Sequence, residues 1–219
     1  MRSWYFWIDS GMENSMSKIK ICGLTQQEDI RTVNEYLPDY IGFVFAESRR
    51  QITEEQAKLL KQKLSPRIKA VGVFVNDTTR RIAELCSKGI IDLVQLHGDE
   101  DEDYIRNLRT MTDKEIIKAV RVKSASDITQ AFGSDADYLL FDTYHKQQYG
   151  GSGIAFDWSL IQKPARQYFL AGGLNEENIL EAVRNYQPFA LDVSSGVETD
   201  GKKDPQKIRN IIAKVRSVE

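Results

Sequence analysis

Short apolar segments recur along this sequence from residue 18 onward, and each is followed by a segment with the apolar spacing of an amphipathic helix. They return roughly every 22 to 30 residues, which is typical of successive strand–helix units. Several, such as residues 41–45 and 70–75, are largely apolar throughout, as expected of strands covered on both faces in a parallel sheet. Eight such units in about 200 residues predict a single closed (β/α)8 barrel rather than an open doubly wound sheet. The predicted strands are 18–22, 40–45, 69–75, 92–96, 115–121, 137–142, 167–171 and 189–193.

Helix starts also have local signals, because hydroxyl, amide and carboxylate side chains accept hydrogen bonds from the unpaired N–H groups of a first turn. A proline at the first helical position has the same meaning, since its missing N–H costs nothing there. The predicted starts are the capping boxes Thr25–Glu28 and Thr53–Gln56, the caps Asn76 or Asp77 and Asn175, and the pair Asp204–Pro205.

Composition excludes several classes of function. The net charge of −2 does not indicate nucleic acid or an anionic membrane surface as a partner. No apolar run approaches the roughly 20 residues that span a bilayer. The two cysteines, Cys22 and Cys86, have neither a disulfide framework nor metal-ligand spacing. We therefore predict a cytoplasmic protein without a metal site.

The first fifteen residues differ from the rest, since they mix aromatic and acidic residues without helical or strand periodicity. They lack the features of a secretory signal. We predict a non-native or disordered extension over 1–15 and a catalytic barrel over 16–219. The alternative is an added arm that packs on the barrel.

Two neighbouring strands, the seventh and the eighth, are predicted to end in turns that suit a phosphate group. One runs into Gly172 and Gly173, and the other into Ser194, Ser195 and Gly196. Backbone N–H groups and hydroxyls brought to one point form an anion site, and a phosphate monoester is the ligand that such a site fits.

Reactive side chains stand at other predicted strand ends, where barrel enzymes place their chemistry. Cys22 ends the first strand, and we predict a functional thiol there, whereas Cys86 on a helix is predicted to pack. Asp142 follows three apolar residues, where a carboxylate is costly without a role or a partner. The other candidates are Arg50 after strand 2, Asn76 and Asp77 after strand 3, Gln95 and His97 on strand 4, Arg121 on strand 5 and Asp192 in strand 8.

Some of these candidates have an equally plain structural interpretation. Arg50 is either solvated or functional, and His97 either binds substrate at the rim or bonds a loop. Gly150, Gly151, Ser152 and Gly153 are typical of a linker or of a mobile loop that closes over a site.

Seven motifs taken together, in order and mostly at strand ends, resemble phosphoribosylanthranilate isomerases over about residues 18 to 216. The first fifteen residues have no counterpart in that pattern. The motifs are Lys20–Thr25, Gly42–Phe45 with Ser48–Arg50, Val94–Gly98, Phe141–Thr143, Gly150–Gly153 with Phe156–Trp158, Ala171–Asn175 and Asp192–Glu198.

The resemblance implies an Amadori rearrangement in tryptophan biosynthesis, without a cofactor. Cys22 is then the general base, Asp142 the general acid, Arg50 the group that holds the anthranilate carboxylate, and Asp192 a neighbour of the anthranilate nitrogen. The remaining difficulty is the thiol, because an ordinary cysteine with a pKa of about 8.5 is only a few per cent ionised at neutral pH. A nearby cation or the iminium intermediate is expected to stabilise the thiolate and so offset this low ionised fraction.

Two alternatives remain open at this point. One is another phosphosugar isomerase or epimerase barrel, and the other is a catalytically silent barrel that binds a phosphoribosyl ligand. A metal-dependent epimerase is disfavoured because the chain has only two histidines. We expect a monomer or a homodimer.

Overall fold

The structure, a computed structural model, describes residues 17–143, 157–161 and 166–218. Within these ranges, eight parallel strands form a closed barrel in chain order, and the last strand pairs with the first. The predicted (β/α)8 barrel is therefore confirmed. Two predictions, on residues 1–15 and on residues 150–153, lie outside the described residues. The strands are β1 Lys18–Cys22, β2 Tyr40–Val44, β3 Lys69–Phe74, β4 Leu93–Leu96, β5 Glu115–Val122, β6 Tyr138–Thr143, β7 Tyr168–Leu170 and β8 Ala190–Val193.

Helices cover the outside of the barrel. A π-helical segment, Ala182–Tyr186, continues the short helix Ile179–Glu181, and short 3-10 turns lie at Trp158–Leu160 and Ser195–Val197. After the second of these turns the chain forms a small antiparallel hairpin, β9 Glu198–Thr199 with β10 Lys202–Lys203. The helices are α1 Gln27–Tyr36, α2 Glu54–Lys63, α3 Thr79–Ser87, α4 Glu102–Arg109, α5 Ala125–Ala131, α6 Ile179–Glu181 and α7 Pro205–Arg216. No helix among the described residues is long and apolar enough to cross a bilayer.

Two of the predicted helix starts are confirmed. Thr53 accepts from the N–H of Gln56, whose side chain accepts in return from the N–H of Thr53. Asp204 accepts from the first free N–H groups of α7, directly before Pro205.

The predicted capping box at Thr25 is wrong by one residue. Gln26 is the N-cap of α1, and the carboxylate of Asp29 accepts from the N–H groups of Thr25 and Gln26. Asp29, rather than Glu28, stands at the third helical position, from which a side chain reaches back to the cap.

The predicted caps of two further helices are also wrong. Thr78 caps α3, because Asn76 is committed elsewhere: its backbone is left-handed (φ 50°) and its side chain accepts from the N–H of Asp99. Asn175 accepts from Glu177 and Asn178 in the turn before α6, and the N-cap is Asn178.

Side chains alternate between two apolar layers along each strand, as the two-residue period of a strand requires. On β1, Ile19 and Ile21 belong to the core between sheet and helices. Lys20 and Cys22 therefore face the inside of the barrel. The lower interior is closed by Tyr40, Phe169 and other apolar residues. Burial of each large side chain of this kind stabilises the fold by roughly 1.5–3 kcal/mol. Because these apolar residues fill the lower interior, the polar side chains inside the barrel lie towards the carboxyl ends of the strands.

Candidate active site

A cavity of about 910 Å³ opens at the carboxyl ends of the strands. It is lined by residues of β1, β2, β3, β4, β6 and β8 and of the loops that follow β2, β3, β4, β7 and β8. Among the described residues, no group of three or more His, Cys, Asp and Glu side chains could hold a metal ion. Ten of the fourteen described candidates line the cavity: Cys22, Arg50, Gln95, His97, Asp142, Gly172, Gly173, Asp192, Ser194 and Ser195.

Cys22 is buried at the end of β1, and its neighbour in β2 leaves room for the thiol. A Cβ atom at Gly42 would lie 2.5 Å from Cys22 Sγ, which is closer than side chains approach. Burial raises the pKa of the Cys22 thiol above its ordinary value, while the nearby ammonium of Lys20 acts against that change. The thiol is thus held in its protonated form when the site is empty.

The cation beside this thiol is Lys20, two residues earlier on the same strand and fully buried. Its Nζ lies 2.7 Å from Asp192 Oδ2 and 2.9 Å from Gln95 Oε1. Burial would lower the pKa of Lys20, but the carboxylate of Asp192 and the neighbouring Cys22 outweigh it and raise the pKa overall. Sequence reasoning did not select Lys20 as a site residue. The available signal was the period of β1, which places Lys20 on the same face as Cys22.

Asp142 stands at the end of β6, with a side chain 6% exposed. Its Oδ1 accepts from the N–H of Thr143 at 2.7 Å. Its Oδ2 lies 3.2 Å from His97 Nε2, although the geometry of this contact is not that of a hydrogen bond. His97 thus reaches the cavity itself rather than only a loop.

The two carboxylate oxygens of Asp192 have different surroundings. Oδ2 binds Lys20, whereas Oδ1 is buried and has no hydrogen-bond partner in the part of the chain that the structure describes. A buried acceptor of this kind is costly unless something binds it. Since Asp192 lines the cavity, a donor on a ligand would meet that need.

Arg50 lies at the cavity rim in a cluster of charges around Glu198 on the β9–β10 hairpin. Arg50 Nε donates to Glu198 Oε1 at 2.7 Å, and a second guanidinium nitrogen donates to Oε2 at 3.0 Å. Arg49 and Lys203 donate to the same carboxylate. Burial would raise the pKa of Glu198, but the hydrogen bonds from Arg50 and Lys203 more than offset it and lower the pKa to about 2. Three cations around one anion leave this rim positively charged.

The predicted phosphate turns meet at one side of the cavity. Gly172 and Gly173 have left-handed backbones (φ 85° and 68°), which glycine adopts without strain. A Cβ atom at Gly172 would also lie 2.3 Å from the Thr143 hydroxyl. Ser194 Oγ donates to the carbonyl of Cys22 at 3.2 Å, which joins the β8 turn to the end of β1.

Gly196 does not line the cavity with the other four turn residues. A Cβ atom there would lie 1.9 Å from the carbonyl oxygen of Leu174. The absence of a side chain at Gly196 therefore lets the loops after β7 and β8 pack together behind the site.

Other candidates lie outside the cavity. Arg121 pairs with Asp99, and Asp77 pairs with Arg81 on α3. Cys86 is buried in the core on α3, as predicted. Glu198 and Lys203 were not selected from the sequence, because their significance depends on where the hairpin folds.

The fold and the charges of this site can be compared with known proteins. The family model described as N-(5'phosphoribosyl)anthranilate (PRA) isomerase matches residues 19–214. The chain belongs to this family. The N-(5'-phosphoribosyl)anthranilate isomerase of Endomicrobium trichonymphae is 49% identical over 203 residues, covering 93% of this chain and 100% of the relative.

Solved structures of family members have the same barrel. The phosphoribosyl anthranilate isomerase of Thermotoga maritima is 38% identical, with a TM-score of 0.84, and covers 92% of this chain and 100% of its own. A second isomerase structure, 37% identical with a TM-score of 0.81 and the same coverage, is a complex with reduced 1-(o-carboxyphenylamino)-1-deoxyribulose 5-phosphate. That ligand has a carboxylate at one end and a phosphate at the other.

Proposed function

We propose that this chain catalyses the Amadori rearrangement of N-(5-phosphoribosyl)anthranilate to 1-(2-carboxyphenylamino)-1-deoxyribulose 5-phosphate, a step of tryptophan biosynthesis. The observation that supports it best is one cavity lined by a thiol, a carboxyl group, a rim arginine and two glycine- and serine-containing turns. Phosphate binding alone would require neither Cys22 nor Asp142.

Asp142 acts as the general acid in this proposal. It gives a proton to the ribose ring oxygen, and the C1–O bond breaks as the nitrogen lone pair forms a C=N bond to C1. The product of this step is an open-chain iminium with a hydroxyl on C4. Asp142 must therefore be protonated when the substrate binds, and its placement beside His97 in a nearly closed environment suits proton transfer.

Cys22 acts as the general base on the next bond. The iminium makes the C2 proton acidic, and the sulfur removes it to form an enolamine. The enolamine then takes a proton at C1 and loses the proton of its C2 hydroxyl, which leaves the aminoketose. The ammonium of Lys20 and the positive iminium both favour the thiolate, and so offset the effect of burial on the thiol.

The remaining groups bind and orient the substrate. Gly172, Gly173, Ser194 and Ser195 hold the phosphate, with Gly196 shaping the turn. Binding energy from this unreactive end positions the sugar between acid and base. At the other end, Arg50 holds the anthranilate carboxylate with the guanidinium N–H groups that do not donate to Glu198. Asp192 Oδ1 accepts from the anthranilate nitrogen, and His97 Nε2 donates to the substrate.

The proposal is tested by incubating the protein with phosphoribosylanthranilate and following the loss of anthranilate fluorescence. We expect turnover that a chelator does not affect and that inorganic phosphate inhibits competitively. Absence of turnover with retained phosphate binding would favour a silent barrel, and inhibition by a chelator would indicate a metal-dependent reaction instead. Because its substrate is a small phosphorylated metabolite, we further propose a cytoplasmic enzyme that acts as a monomer or a homodimer.

A further inference from the structure

Gln95 lies inside the barrel between Lys20 and His97 and contacts both side chains. It lies on β4, is 1% exposed, and each end of its amide meets a different neighbour. Lys20 Nζ lies 2.9 Å from Gln95 Oε1, and Gln95 Nε2 lies 2.8 Å from His97 Nδ1. The amide therefore stands between the ammonium beside Cys22 and the imidazole beside Asp142.

The orientation of this amide is determined by Lys20. An ammonium group has three donors and no acceptor, so only the amide oxygen can face it. The opposite orientation would place the NH₂ group of Gln95 against Lys20, donor against donor. Lys20 is itself held by Asp192 at 2.7 Å, so its position is set from a third strand.

The tautomer of His97 follows from the orientation of Gln95. With the NH₂ group of Gln95 directed at Nδ1, this ring nitrogen must accept a hydrogen bond. A neutral imidazole has one N–H and one acceptor, so its proton is on Nε2. His97 Nε2, which carries this proton, lies 3.2 Å from Asp142 Oδ2.

The Nε2–H group of His97 is free to act in the cavity. It is buried, and it has no hydrogen-bond partner among residues 17–143, 157–161 and 166–218. A buried donor without a partner costs free energy that a ligand acceptor would recover. Since His97 and Asp142 both line the cavity, a substrate oxygen bound beside them can accept from this donor.

We propose that Gln95 is a positioning residue that, oriented by Lys20, holds His97 as the Nε2–H tautomer, so that its one N–H donor lies beside Asp142 and remains available to the substrate. The consequence for catalysis rests on the proposed function, because it takes Asp142 as the acid. The tautomer itself does not depend on that function and can be measured without substrate.

The direct test is a long-range ¹H–¹⁵N spectrum of the histidine rings at pH 7.5. The chain has only two histidines, His97 and His145, so His145→Gln assigns the signals. We expect His97 to be protonated on Nε2 and unprotonated on Nδ1. A His97 ring protonated on Nδ1 in the wild-type protein would overturn the proposal, and this measurement needs no change at Gln95.

Two substitutions test whether Gln95 is the cause. In Gln95→Glu the group facing Nδ1 becomes an acceptor, so we expect a proton on Nδ1. In Gln95→Met, which is similar in length and apolar, we expect both tautomers to be populated. If either folded variant kept the wild-type Nε2–H signal alone, Gln95 would not determine the tautomer.

Kinetics connect the tautomer to the reaction. We expect Gln95→Met to lower kcat by about tenfold, the effect of losing one hydrogen bond, while the inhibition constant of inorganic phosphate stays within about twofold. Unchanged kcat in a variant with altered tautomer would overturn the positioning role. A wild-type protein with the expected spectrum but no turnover would instead contradict the proposed function.

Discussion

Lys20 Nζ lies 2.7 Å from Asp192 Oδ2 in a place where the lysine is fully buried and the aspartate nearly so. Removing one partner of such a pair leaves an uncompensated buried charge, so each depends on the other. The pair also places a positive charge beside Cys22, on a strand whose opposite face, formed by Ile19 and Ile21, is apolar. Burial raises the pKa of the Cys22 thiol most, and the two charges of this pair act on that pKa in opposite directions.

Lys20→Met is expected to raise the pKa of the Cys22 thiol further, because it removes the charge that opposes the effect of burial. Asp192→Asn should act in the other direction, since its carboxylate raises the thiol pKa. Alkylation rates of Cys22 by iodoacetamide against pH, in a Cys86→Ser background, measure both. Lys18→Met, at the opposite end of β1, is the matched control, and identical profiles in all variants would contradict this role of Lys20.

Cys22→Ser should lower turnover by at least about a hundredfold, because a hydroxyl ionises far less readily than a thiol and general-base catalysis is of this size. Steady-state assay with phosphoribosylanthranilate measures the loss. Cys86→Ser, which changes the other buried thiol on α3, should stay near wild-type activity. Near-normal turnover in Cys22→Ser would remove this residue from the mechanism.

Asp142→Asn should be similarly severe, because the amide cannot donate a proton to the ring oxygen. The fold should remain, since an amide oxygen still accepts from the N–H of Thr143. The measurement is kcat together with the melting temperature. Asp103→Asn, on the exposed face of α4, is the control for the same chemical change. An active Asp142→Asn enzyme would exclude Asp142 as the acid.

Arg50→Ala should mainly raise KM, because its contact with the anthranilate carboxylate exists in the ground state and the transition state alike. The comparison of kcat and KM for this variant with those of Arg80→Ala, an exposed arginine on α3, isolates the effect of the site. A defect in kcat alone would contradict the proposed role of Arg50.

Glu198 should make stability depend on pH in the acid range. Its pKa falls from 4.5 to about 2 in the folded protein, so its stabilisation is complete above pH 4.5 and is lost as the pH falls towards 2. We expect wild type to exceed Glu198→Gln in unfolding free energy at pH 6, by at most about 3 kcal/mol. Urea titrations should show a smaller gap at pH 3. The exposed Glu84→Gln control should show no such narrowing, and a constant gap for Glu198→Gln would refute the assignment.

The barrel and many of its strand ends could be predicted because they depend on local patterns. The period of two along β1 determines that Lys20 and Cys22 share a face, and glycine at 172 and 173 permits the left-handed turn. Strand bounds agreed to within a residue or so for the same reason. The helix caps predicted at Asn76 and Asn175 were wrong because both side chains accept from other loop N–H groups. Several N–H groups lie within reach of each side chain, and the sequence does not indicate which of them it binds.

What the sequence by itself determined is therefore the order of strands and helices and the set of reactive groups at the strand ends. Only the tertiary structure decided which groups pair. Gln95 meets Lys20 across 75 residues of chain, and Arg50 meets Glu198 across 148. Such partners are brought together by barrel closure and by the fold of one hairpin, and the energy of a buried charge depends on the neighbours that closure supplies.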